Sequence, residues 1–260
     1  MPSTTAGERN RAIFTRRAAL ALPLALPTFS HAKVARRFTA TVAGVSRGVL
    51  RLDTLQTLRL AHIDVPRPPQ PWGRQGEAGL LALALGRRIV VEPTAREPDR
   101  RGQIPAEVWL AEAGGTPDVH LARELLRLGL ARVRPYGEDD LDLAEWFAEE
   151  REARLAGRGL WRDYRVHAPD ADRLAQLVET FQIIEGVVTA VGGGGERTYL
   201  NFGADWRTDV TVVVDRAVAK GMAEPPESLE GARVEARGWV ELVNGPSVWL
   251  RDARALRVLD

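Results

Sequence analysis

The chain has 260 residues, no cysteine, and 36 Lys+Arg against 35 Asp+Glu, for a formal net charge of +1. Without cysteine there are no disulfides, no thiolate zinc sites and no cysteine nucleophile. The near-balance of charge excludes bulk basicity as a means of attracting polyanions, so any such surface must be a local patch, and the length suits one large or two modest domains.

The first thirty residues read as an export segment. Arg9, Arg11, Arg16 and Arg17 form a basic region, Ala18 to Leu26 is apolar but interrupted by Pro23, and Ser30-His31-Ala32 places small residues where cleavage is expected. Thr15-Arg16-Arg17 is similar to a twin-arginine address, and the apolar run is too short for a membrane span. This predicts a mature chain beginning near Lys33 with no transmembrane span, in the periplasm or secreted. The alternative is an Ala-rich N-terminus on a cytosolic protein.

After the segment, Phe38–Val45, Gly48–Leu52, Thr57–Ala61, Arg87–Glu92 and Glu107–Leu110 have the alternation of strands. Between them, Arg74–Leu85 is a leucine-faced helix ending at Gly86, and Asp118 is placed to cap a second helix over Val119–Leu128, which Gly129 stops. A third, charged helix is predicted over Asp139–Ala156. Five short strands interleaved with helices predict a mainly β, α+β fold: a five-stranded OB-fold (oligonucleotide-binding-type) barrel with three helices. The stretch L-R-L-A-H-I-D-V-P-R, Leu58 to Arg67, carries an arginine and an aspartate five residues apart. Arg59 and Asp64 can converge only if the strand kinks near Ala61 and His62.

The order R-L-A-H-I-D-V-P, P-W-G-R-Q-G-E-A, D-R-R-G-Q, L-L-R-L-G-L-A-R-V and A-R-L-A-G-R-G-L-W resembles the thermonuclease, or staphylococcal-nuclease-like, family over about Phe38 to Trp161. The resemblance implies a barrel with three helices that binds single-stranded or frayed nucleic acid and, in active members, hydrolyses phosphodiesters with calcium. Such chemistry needs a hard cation held by carboxylates, cationic donors for the developing charge, and a group that positions water. The resemblance assigns Arg59 as the phosphate-facing guanidinium and Asp64 as a calcium ligand. It also puts the second metal-binding carboxylate at Gly48, the water-positioning glutamate at Arg67 and the second phosphate arginine at Gln103, so these three positions depart from the pattern. Asp53-Thr54 reads as a turn pair, Arg100 and Arg101 stand near the place vacated at Gln103, and Glu77 reads as a first-turn glutamate. Asp64 alone remains for a metal, and its structural alternative is a salt-bridged cluster with Arg59 and Arg67. His62 reads as a packed side chain, since no other histidine has metal-ligand spacing with it.

Arg162–Asp172 reads as a linker and Arg173–Val178 as a short helix. From Phe181 the pattern is all-β: Gln182–Val191, Arg197–Asn201, Val210–Val214, Ala232–Leu242 and Ser247–Val258, with Gly192–Gly195 and Asn244-Gly245-Pro246 as turns and a helical turn near Glu227–Glu230. R-T-Y-L-N-F-G-A-D-W-R-T-D resembles a C-terminal barrel appended to some bacterial thermonuclease-like proteins. The expected organisation is an export segment over 1–32, a barrel domain over 33–161, a linker with a short helix over 162–180, and a second OB-like β-barrel over 181–260. In the last, Tyr199, Phe202, Trp206, Trp239 and Trp249 are expected to be mostly packed inward or between barrels, with Trp206 and Arg207 the exposed pair.

The reading is an exported, catalytically degenerate thermonuclease-like protein, a pseudoenzyme that binds single-stranded nucleic acid, another polyanion or an envelope protein. Arg59, Arg67, Arg100, Arg101, Trp206 and Arg207 are its candidate anion-binding residues. No cofactor is expected, and calcium enters only under an alternative, an active nuclease with relocated ligands. A structural module of the cell envelope is the third class.

Overall fold

A computed structural model describes residues 37–111, 117–137, 139 and 141–259. The expected export segment over 1–32 and the mature start near Lys33 lie outside these residues.

The first sheet begins with β1 (Phe38–Ser46), in which Ala40 and Val42 point inward while Thr39 and Thr41 do not. Arg47 and Gly48, at φ 53 and 73, make a two-residue turn of the kind that matches strand twist. They lead to β2 (Val49–Leu52), and a turn follows in which Asp53 Oδ1 accepts from the N–H groups of Thr41 and Thr54. Asp53-Thr54 is thus a turn pair. β3 (Thr57–Leu60), β5 (Arg88–Pro93) and β6 (Gln103–Ala111) complete the order β3-β2-β1-β5-β6, and β3 pairs in parallel with β6 to close the ring. Leu50, Leu52, Leu58, Leu60, Ile89 and Val108 fill its interior. β7 (Pro117–His120) extends the β6 edge.

The helices shift slightly from their expected bounds. α1 spans Gly73–Ala84, so Glu77 is not in the first turn; its Oε1 instead accepts the Arg47 N–H at 3.1 Å. α2 spans Leu121–Arg127, and its cap is His120, whose Nδ1 accepts from the Arg123 N–H, rather than Asp118. α3 spans Ala144–Leu155, five residues later than the charge pattern suggested, and Asp139 lies before it, paired with Arg254. β4 (Ile63–Asp64) and β8 (Arg132–Val133) form a separate two-residue ladder.

A second sheet contains β9 (Phe181–Val187), β10 (Ala190–Gly194), β11 (Arg197–Asn201), β12 (Thr211–Asp215), β13 (Arg233–Leu242), β14 (Pro246–Trp249) and β15 (Leu256–Val258). The order is β10-β11-β12-β14-β13-β15, with β9 also on β13. Val212, Val214, Val240, Val248 and Leu200 form its core. The run Gln182–Val191 is two strands, and Ser247–Val258 is also two, interrupted by a short helical turn at Ala253–Ala255 that Asp252 caps. Gly192, Gly193 and Gly194 belong to β10 instead of forming a turn. The chain is therefore a mixed, sheet-rich α+β fold: an OB-type barrel with helices and a second β domain.

The described residues form one compact unit. Arg237 of β13, 3% exposed, donates to both Glu150 oxygens of α3 at 2.7 and 2.8 Å, to Glu235, and to the Val133 carbonyl at 3.0 Å. Glu150 also accepts from the Val133 N–H. Arg154 reaches Glu235 and Arg254 reaches Asp139, adding partly exposed links. Between the sheets, Tyr164 and His167 are buried and both meet the Gln182 side chain. A charge without a partner is not tolerated at such depth, and here every group of the Arg237 cluster has one.

Candidate functional site

The strand kinks where convergence requires it. His62 adopts φ 56 between β3 and β4, and its side chain is fully buried, edge-on to Trp146 and 3.1 Å from Asp139. Burial holds its pKa below the ordinary histidine value, against the pull of Asp139. It is a packed side chain, and its backbone carbonyl accepts the Arg134 N–H at 2.7 Å.

Beyond the kink, Asp64 is only 6% exposed. Its partner is neither Arg59 nor Arg67 but Arg132, whose Nη2 lies 2.6 Å from Asp64 Oδ2. The Arg132 guanidinium is packed against the rings of Tyr164 and Phe181, at 5.1 and 5.2 Å. The expected cluster with the flanking arginines is thus replaced by a pair across the β4–β8 ladder.

Two of the three positions where the pattern departs from the thermonuclease family, Gly48 and Arg67, lie together in space. A side chain at Gly48 would begin 3.5 Å from Arg67 Cγ and 3.6 Å from Val65 Cβ. The stem of Arg67 therefore lies beside the position where a second carboxylate would begin. Calcium takes 6–8 oxygen ligands. Here Asp64 is engaged by Arg132, Gly48 offers no side-chain oxygen, and no cluster of three candidate ligands occurs among the described residues. The residues present do not fit calcium.

They form an arginine–aromatic ladder instead. The Arg59 guanidinium lies 4.9 Å from the Tyr136 ring, Arg134 lies 5.4 Å from Tyr136 and 5.9 Å from Trp239, and Arg67 lies 5.8 Å from Trp239. Arg59 has Asp99 at 3.6 Å. Among the described residues no carboxylate lies within 4.0 Å of the Arg67 or Arg134 guanidinium. Burial lowers the Arg134 pKa, and Arg59 and Arg67 lower it further, whereas Asp64 and Tyr136 act in the opposite sense. Three guanidiniums gathered around aromatic faces, with one carboxylate between them, make a site that an anion such as phosphate would relieve.

Arg100 and Arg101 do not join this site: both are exposed and form no side-chain hydrogen bond or ion pair among the described residues. Asp99, beside them, accepts the N–H groups of Arg101 and Gln103 and is the residue that meets Arg59. Arg134 and Tyr136 escaped the sequence reading, because a two-residue strand is too short to show a period. The signal available was the pair Arg132 and Arg134, two apart in R-V-R-P-Y.

On the second sheet, Trp239 pairs with Trp249, Trp249 with Val213, and Val213 with Tyr199, so these side chains share one face. The core lies on the other face, with Val240, Val248, Val212 and Leu200. Of the five aromatics, only Phe202 is in the core; Tyr199 is 36% and Trp206 50% exposed. Of the packing expected in the core or between barrels, Phe202 takes the first and Trp239 the second, against Arg67 and Arg134, whereas Tyr199 is on the outer face. Trp206 and Arg207 are stacked at 4.4 Å, apart from the arginine ladder.

Residues 57–163 match the sequence model of the family described as staphylococcal nuclease homologue. The chain carries a staphylococcal-nuclease-like domain, and the second β domain lies outside the matched residues. It is similar to the probable endonuclease lcl3 of Neosartorya fischeri, 32% identical over 139 residues, 46% of this chain and 44% of that protein. The probable endonuclease LCL3 of Debaryomyces hansenii is 32% identical over 44% of this chain and 51% of its own length. The probable staphylococcal-like nuclease CAN1 of Oryza sativa is 25% identical over 48% and 34%. The chain spans less than half the length of the first of these, and these relatives are fungal and plant proteins rather than bacterial ones.

Proposed function

We propose that this protein is an exported, thermonuclease-like pseudoenzyme that binds single-stranded nucleic acid through Arg59, Arg67 and Arg134 without calcium-dependent hydrolysis. One observation carries the reading: Asp64 is held by Arg132, while Arg67 and Arg134 converge with no described carboxylate in ion-pair reach. A site built this way offers donors to a phosphodiester backbone and lacks the oxygen set that would hold a dication. Export to the periplasm or beyond rests on the basic and apolar pattern of the first thirty residues. Another polyanion of the envelope has the same chemistry as the nucleic-acid backbone and is the neighbouring possibility for the natural ligand. The second β domain is taken as the kind of barrel appended to some bacterial thermonuclease-like proteins. No helix among the described residues is long and apolar enough to cross a membrane.

A second reading, an active nuclease, is favoured by the fungal relatives named probable endonucleases. The deciding experiment incubates the purified chain with denatured DNA and RNA in calcium, manganese or chelator, alongside anisotropy titration of a labelled single strand at several salt concentrations. The proposal expects salt-sensitive binding and no cleavage. Calcium-dependent cleavage abolished by Asp64→Ala would establish the second reading, and absence of binding at low salt would remove the first.

A further inference from the structure

The outer face of the second sheet holds a cavity of about 430 Å³ that the arginine ladder does not use. Tyr199, Trp206 and Trp249 supply its aromatic walls, and Arg197, Asn201 and Asn244 are among its polar lining. The volume is within the ordinary range for small-ligand sites, about 300–1,000 Å³. The aromatic walls face away from the core of the sheet, so core packing does not account for them.

The local backbone is shaped around these rings. Gly193 has φ 91, and a side chain there would begin 2.7 Å from Tyr199 Cδ2, so the ring lies directly on the backbone of β10. This accounts for a glycine in the middle of a strand. Trp249 is oriented by its Nε1–H, which donates to Ser247 Oγ at 3.3 Å, and by Arg197, 4.8 Å from its ring. Among the described residues the only charged lining side chain is Arg197, which is ion-paired to Asp215 at 3.1 Å, and no carboxylate is itself among the lining residues. Arg207 lies over Trp206 at its edge. Flat apolar walls, amide groups and cationic charge suit a planar ring attached to an anionic backbone.

A row of paired side chains leads from the cavity to the ladder. Trp249 stands directly opposite Trp239, whose ring has the Arg67 and Arg134 guanidiniums at 5.8 and 5.9 Å. From Trp239 to Tyr199 the row crosses three strand spacings, about 14 Å. We infer that the cavity is a base-stacking pocket, which accepts an unpaired nucleobase of the same single strand whose phosphates lie on the arginine ladder. The two sheets then form one binding track. This rests on the nucleic-acid reading above and adds to it a base-recognising half.

The test separates the two. The full chain is titrated with labelled oligothymidylate and with an abasic oligonucleotide of equal length, which keeps the phosphates and removes the bases. Stacking of one base predicts that the thymidylate strand binds about 5- to 150-fold more tightly. Trp206→Ala, at a half-exposed position, and Tyr199→Ser should each reduce that ratio toward one, whereas Arg134→Ala should weaken both oligonucleotides alike. Equal binding of both by the unmodified protein, or a ratio that survives both aromatic substitutions, overturns the stacking pocket and leaves the arginine site standing. If neither oligonucleotide binds at low salt, the nucleic-acid reading falls and the pocket falls with it.

Discussion

Asp64 and Arg132 face each other across a two-residue ladder, 2.6 Å apart and both buried, 68 residues from each other in sequence. The carboxylate that the family resemblance assigns to calcium is here ion-paired to a buried guanidinium. Asp64→Asn leaves the Arg132 guanidinium buried without its counter-charge, and breaking a buried pair from one side costs about 3–5 kcal/mol. Urea unfolding should show a loss of that order, and millimolar calcium should change neither the wild-type midpoint nor the variant's. A midpoint that rises with calcium only in the wild type would mean that Asp64 holds the ion.

On the proposed nucleic-acid reading, the three arginines of the ladder act through charge. Arg134→Ala should weaken single-strand binding at low salt and flatten the plot of log affinity against log salt by about 0.7 for each phosphate that is no longer neutralised. Arg100→Ala and Arg101→Ala serve as controls, since neither side chain reaches the site. A slope that changes equally in all three would show the binding to be diffuse.

The Arg237 cluster ties β13 to α3 and thus the two sheets to each other. Burial opposes a charge on Glu235, yet Arg237, Arg257 and Arg154 outweigh it and hold the Glu235 pKa below its usual value. Arg237→Met should destabilise the chain by about 3–5 kcal/mol, because it leaves Glu150 and Glu235 without their shared cation. The check is chemical denaturation. A loss under about 1 kcal/mol, the range of an exposed pair, would mean that apolar packing alone holds the sheets together.

Acid should loosen the first barrel through His120. Burial, with Arg123 next, lowers its pKa from 6.5 to about 4, and its Nδ1 must be unprotonated to cap α2. The unfolded chain therefore takes up this proton first as pH falls. Stability from this group is complete above about pH 6.5 and is lost progressively down to about pH 4, by at most ~3 kcal/mol. His62 and His167, also lowered chiefly by burial, act in the same direction. Stability measured at pH 7, 5.5 and 4.5 should fall less steeply for His120→Asn, which can still cap; parallel curves would exclude His120 as the source.

Much of the barrel is legible in the chain because strand alternation and leucine faces are local properties. The segments at 38–46, 49–52, 57–60 and 197–201 are visible as strands, and the motif order places Arg59 and Asp64 on a strand that must kink. The breaks inside 182–191 and 247–258 were hidden, since Val188 and Leu250 continue the apolar pattern while the backbone leaves the ladder. Alternation also says that Tyr199 and Leu200 face opposite ways without saying which way is in; that depended on where the sheet found its core.

The stretch from Leu58 to Arg67 thus marks, by sequence alone, the strand type, the kink and the charged residues Arg59 and Asp64 on either side of it. Sequence also shows that Gly48, Arg67 and Gln103 depart from the family pattern. Tertiary structure alone decided what those charges do. Arg132 arrives from beyond a helix to take Asp64, and Arg134 comes with it to join Arg59 and Arg67. Trp239 arrives from the second sheet to pack against Arg67 and Arg134. Charge pairing is a matter of distance in space, and residues far apart in the chain acquire that distance only when the sheets close.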